Sequence, residues 1–72
     1  MQFPSKDQIE RLRKIYPVGC SVRLVRMSDP QSPPPGTEGR VLFVDDIGTV
    51  HVVWNTGSSL GIIPGEDYVE IV

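Results

Sequence analysis

His51, Asp45, Asp46, Ser58 and Ser59 are the residues whose types could carry a reaction. An imidazole, a carboxylate and a hydroxyl are the parts of acyl-transfer catalysis, and carboxylates beside a histidine begin a metal site. The spacing completes neither chemistry. Gly57-Ser58-Ser59-Leu60-Gly61 is not a Gly-x-Ser-x-Gly elbow, and no strand-to-helix turn follows to lift a nucleophile. Asp45 and Asp46 share a tight turn, where adjacent side chains diverge, and no Cys or His spacing supports zinc. Calcium there would lack further oxygen ligands. Gly36-Thr37-Glu38-Gly39 has no Gly-Lys-Ser/Thr ending and is no phosphate loop. Cys20 has no partner thiol, although Arg23 nearby would modestly favour the thiolate. We assign no catalytic residue, no cofactor and no metal ligand, and expect a protein that is not an enzyme.

Binding is the chemistry left. Trp54 closes the central strand, either as a core residue or as a half-exposed aromatic shelf with Tyr68 or Tyr16 beside it. Phe43, His51 and Val53 fall opposite the inward set of their strands, outside or beneath the helix. Arg11, Arg13, Lys14, Arg23, Arg26 and Arg40 form the cationic set. Arg11 and Lys14 share a helix face, and Arg23 and Arg40 can join them across a sheet. Such charges with an aromatic would hold single-stranded nucleic acid or an acidic peptide; solvation alone also explains them.

Composition narrows these options. The 72 residues allow one domain, 1–72, and a chain so short buries only about 60% of its unfolded surface. The formal charge of −2 argues against a dedicated duplex-DNA binder. All seven Lys and Arg lie at or before Arg40, while Asp45, Asp46, Glu66, Asp67 and Glu70 follow it. A lone cysteine, no visible signal peptide and no apolar run of about 20 residues lead us to expect a cytoplasmic protein off the membrane.

The elements that must position these groups follow from periodicity. Ser5 and Gln8 have capping-box spacing, and Ile9, Leu12 and Ile15 or Tyr16 make an apolar stripe. A helix over 6–15 results, stopped by Pro17, with Lys6, Glu10, Arg13 and Lys14 facing water. Five short strands are predicted, at about 21–27, 39–45, 50–55, 59–64 and 68–72. Their inward residues are Val22, Leu24, Val41, Val44, Val50, Val52, Trp54, Leu60, one of Ile62 and Ile63, Val69 and Ile71, with Met27 at the end of the first strand. The spacing of Val41 and Val44 implies a bulge, and Arg26 implies another bulge or an early strand end. The stretch 28–38 holds four of the seven prolines and reads as a stiff loop. Its Pro30-Gln31-Ser32-Pro33 meets the bare P-x-x-P pattern with nothing basic or apolar to reinforce it. Short strands and frequent turns without connecting helices ask for a small barrel, its last strand paired with its first.

The run Pro17-x-Gly19, Val22-x-Leu24-Val25-x-Met27, Pro34-Pro35-Gly36-Thr37-Glu38-Gly39, Val44-Asp45-Asp46-x-Gly48-Thr49, His51-Val52-x-Trp54 and Gly57-Ser58-Ser59-Leu60-Gly61-x-Ile63-Pro64-Gly65 resembles a small bacterial and phage family, domain of unknown function 4314. The resemblance covers nearly all of the chain after the helix. More distantly the chain is similar to SH3-like small barrels of the KOW and Mib–Herc type. That likeness implies a mainly β, five-stranded SH3-like barrel with a short N-terminal helix, and a binding role by analogy of fold. No catalytic residue carries over from either. The expectation is a protein-interaction module using Trp54, Tyr68, Phe43, Val53, Arg23, Arg26 and Arg40. The alternative is a nucleic-acid accessory module using Arg11, Lys14, Arg23, Arg26 and Arg40. Either could self-associate through an edge strand.

Overall fold

Ser5 and Gln8 start the helix as their spacing requires. The Ser5 hydroxyl accepts the Gln8 N–H at 3.2 Å and the Gln8 side chain accepts the Ser5 N–H at 2.8 Å. Asp7 adds a negative charge to the first turn, where the helix dipole favours it. In this computed structural model, which describes residues 4–72, the helix (α1) runs Lys6–Ile15 and ends before Pro17. Ile9 is buried, while Leu12 and Tyr16 pack partly against the core. Tyr16, not the half-exposed Ile15, completes the apolar stripe.

Five strands follow: β1 Ser21–Arg26, β2 Glu38–Val44, β3 Val50–Trp54, β4 Gly61–Ile62 and β5 Tyr68–Ile71. All pairings are antiparallel, in the order β4-β3-β2-β1-β5. The last strand joins the first, as expected. The closed barrel is not formed: β4 and β5 each pair on one side only, leaving one open sheet. Strand β4 is much shorter than the predicted 59–64. The Trp54 N–H still reaches Ser58 O in the β3–β4 register, but Leu60 O accepts the Trp54 indole N–H instead of a backbone donor. Pro64 has no N–H to prolong the strand.

The core is Ile9, Val22, Leu24, Val41, Val44, Val50, Val52, Trp54 and Ile62, all at or below 7% exposure. The hairpin's inward set is therefore as predicted. Both expected irregularities occur, between Val41 and Phe43 and between Leu24 and Arg26. The first lets Val41 and Val44 reach the same interior although three residues apart. Ile71 departs from expectation. It pairs with the buried Val22, yet is 53% exposed, because β5 is an edge with no further strand beyond it among the described residues. Val69 is only partly buried.

Two glycines are fixed by their surroundings. Gly48 has φ 86°, and a Cβ there would stand 2.7 Å from Pro4 Cγ, beneath the start of α1. A Cβ on Gly39 would meet Val53 O, Val52 Cγ1 and Trp54 Cε3 at 2.7 to 2.9 Å. The proline loop is tied down as well. Pro34-Pro35-Gly36-Thr37 forms a turn with Gly36 at φ 93° and a Thr37 N–H bond to Pro34 O. Leu24 donates to Thr37 O and accepts from the Gly36 N–H.

Candidate functional site

The β2–β3 turn holds the densest polar constellation among the described residues. Asp45 Oδ1 accepts the N–H groups of Ile47 at 3.1 Å and Thr49 at 2.9 Å, a side chain substituting for backbone in the turn. Its Oδ2 lies 2.8 Å from His51 Nε2, and the His51 ring stacks on Phe43 with centroids 4.3 Å apart. Burial of the carboxyl opposes ionisation. The hydrogen bonds from His51, Thr49 and Ile47 outweigh it, and Asp45 is held below its ordinary pKa. An ionised carboxylate only accepts, so the histidine donates from Nε2. Asp46 turns the other way, to Arg13 at 3.1 Å. The two adjacent carboxylates thus diverge, as their position in the turn implies.

This pair fixes structure more evidently than it builds a reaction centre. Among the described residues no serine, threonine or cysteine side chain bonds to His51, and no cluster of three or more metal-ligating side chains occurs. Cys20 is half-buried, and that burial pushes its thiol upward despite a backbone hydrogen bond that acts against the rise. Arg23 does not favour its thiolate as expected, because its guanidinium faces Glu70 at 3.2 Å and Glu38 at 3.6 Å.

The candidate binding residues separate. Trp54 is 2% exposed and donates from its indole to Leu60 O at 3.1 Å. Of the two readings of Trp54, the core one holds and the half-exposed shelf does not; a tryptophan at the centre of so small a core is worth more buried. Tyr68 lies instead on β5, 48% exposed, with the Arg26 guanidinium 5.6 Å from its ring centre. Phe43 and Val53 are half-exposed on the outer face of the sheet, with Leu42 beside Phe43. Val53 pairs with Arg40 across the β2–β3 ladder, and Phe43 pairs with His51.

The cationic set does not converge. Arg13, expected to face water, reaches across to Val44 O at 3.0 and 3.2 Å and to Asp46. It caps the end of β2 from the helix. Arg23 is shared by two glutamates and Arg26 covers Tyr68. Arg40, Arg11 and Lys14 have no ion pair among the described residues, but Arg40 sits on the outer sheet face and the other two on α1. Arg11 borders a groove of about 290 Å³ with Pro4, Leu12, Ile15 and Pro64. Sequence reading missed Arg13 and the Phe43–His51–Asp45 chain. The signal for the second was present, since a bulge after Val41 moves Phe43 opposite His51.

Helix, sheet and turn together define a small, mainly β domain: one open five-stranded antiparallel sheet with a capped helix packed into its core. The chain belongs to the family described as Domain of unknown function (DUF4314), matched over residues 5–72. No curated protein and no solved structure matches it. Among the described residues, no helix is long and apolar enough to cross a membrane.

Proposed function

We propose that this chain is a small cytoplasmic protein-interaction module, of bacterial or phage origin by its family resemblance, built on an SH3-like sheet, and not an enzyme. The observation that carries this reading is the outer sheet face. Leu42, Phe43 and Val53 each expose 40% or more of their surface there, beside Arg40, which has no ion pair among the described residues. Neighbouring apolar residues on a sheet face with one uncompensated charge suit a protein partner. The order β4-β3-β2-β1-β5, a meander whose last strand returns to its first, supports the SH3-like likeness.

Nucleic acid is the competing ligand, because the Phe43–His51 stack beside Arg40 joins an aromatic surface to a cation. The division of the basic residues between α1 and the outer face makes that reading second. Amide-shift titration with a peptide pool and, separately, with short oligonucleotides at low salt decides between them. Shifts at Leu42, Phe43 and Val53 with peptides are expected. Shifts with oligonucleotides alone, vanishing as salt rises, would move the assignment to nucleic acid.

A further inference from the structure

The sheet ends in two different edges. β4 has two residues, Gly61 and Ile62, with Pro64 close behind, so it offers too little ladder to a newcomer. β5 has four residues, Tyr68-Val69-Glu70-Ile71, with neither Pro nor Lys to block it. The hydrogen-bond phase of its free edge follows from β1. Leu24 bonds through both its N–H and its C=O to the segment leading into β2, so Val22 faces β2 as well, and Ser21 and Arg23 face β5. The Val72 N–H accordingly donates to Ser21 O at 3.1 Å. Glu70 and Val72 therefore turn their backbone groups inward to β1, and Val69 and Ile71 turn theirs outward. Ile71 is 53% exposed although its neighbour across the ladder is fully buried. The core layer stops one strand short at this edge.

β1 shows what complements β5. Val22 lies opposite Ile71, Arg23 opposite Glu70 and Leu24 opposite Val69. That one arginine is divided between Glu70 and Glu38, leaving two carboxylates to a single guanidinium on the outer face. A second copy of this chain is a poor occupant. The register that pairs the outward groups of Val69 and Ile71 with those of a twin places Glu70 opposite Glu70, and like charges directly opposed destabilise a ladder.

We infer that the free edge of β5 is a strand-addition site for an extended segment of another protein carrying Arg or Lys between two aliphatic residues. The cation meets Glu70 at a non-hydrogen-bonded position, where cross-strand side chains are closest, and the aliphatics cover Val69 and Ile71. This rests on the protein-interaction reading above and names the chemistry of the partner.

The probe is a capped peptide with the sequence of residues 21–27, titrated into the intact chain. Expected are amide shifts centred on Val69 and Ile71 and slowed hydrogen exchange at those two N–H groups. The peptide with Arg23→Glu should bind at least about fivefold more weakly. Ile71→Pro in the protein removes an outward donor and leaves the β1-facing donors of Glu70 and Val72 in place, so it should abolish binding with the sheet intact. Glu70→Gln should remove the preference for the arginine peptide while keeping binding. Shifts confined to Phe43 and Val53 would overturn the edge site and leave the interaction reading standing. Silence with this peptide overturns the edge site; silence with the peptide pool as well removes both. A dimer by light scattering that Ile71→Pro dissociates would also overturn it, giving the edge to a second copy.

Discussion

Asp45 is the residue on which the central turn depends, and its behaviour with pH follows from its bonds. The folded carboxyl titrates below the unfolded value of about 3.9, because three donors stabilise its anion against the cost of burial. Between the two pKa values the unfolded chain binds more protons. Asp45 therefore contributes stability that is present above the unfolded value and is lost as pH falls through the folded one. Chemical denaturation of Asp45→Asn and the natural chain should differ above the unfolded value and converge as pH falls through the lower, folded one. A gap that stays constant across the acid range would assign the turn's stability elsewhere. Gly39 makes a sharper case. Its hypothetical Cβ meets backbone at Val53 O as well as Trp54, so the neighbours cannot simply rotate away. Gly39→Ala should lower unfolding free energy by about 1–3 kcal/mol, whereas Gly57, with open space around it, tells a different story. There the positive φ of 93° is the whole constraint, and Gly57→Asn should cost less than Gly57→Val.

At the scale of elements, α1 and the hairpin were legible because each is specified locally. The capping box, the Pro17 stop and the bulge implied by Val41 and Val44 all act within a few residues of where they are read. What could not be read depends on distant partners. Arg13 looked like a solvated helix residue because Val44 O and Asp46 are 31 and 33 residues away. Trp54 could be core or shelf until Leu60 O was seen to accept its N–H. Strand β5 lies beside β1 as its position predicts, but Val69 and Ile71, inward by alternation, are not fully covered at an open edge. Its value therefore lies more in the ladder than in Ile71. Deleting residues 69–72 strips the β1-facing bonds and uncovers Val22 and Leu24 along one side. The truncated chain should lose cooperative unfolding by circular dichroism; an unchanged melting temperature would show that β1 is stable as an edge. Arg13→Met, which keeps the aliphatic stem and loses the bonds to Val44 O, should destabilise by about 1–2 kcal/mol.

Taken whole, the molecule has one interior shared by every element except the free rim of β5. Ile9 from α1 lies in the same cluster as Trp54 and Ile62, and Arg13 and Pro4 hold the helix against the hairpin turn. A ten-residue helix does not persist alone in water. Its helicity must therefore come from the sheet beneath it, and the sheet in turn loses a cover for its core without it. The two should melt as one unit. Helical ellipticity and Trp54 fluorescence are expected to report coincident urea transitions, with the indole moving from buried to solvated as the helix signal disappears. Ser5→Ala tests the coupling from the far end. Loss of the cap should cost about 1 kcal/mol, and the whole of that loss should appear in the Trp54 transition, although the hydrogen bonds of Ser5 among the described residues all stay within α1. A helix that frays in Ser5→Ala while the fluorescence midpoint stays fixed would mean that α1 is an independent flap over the core, and the sheet would then be self-supporting.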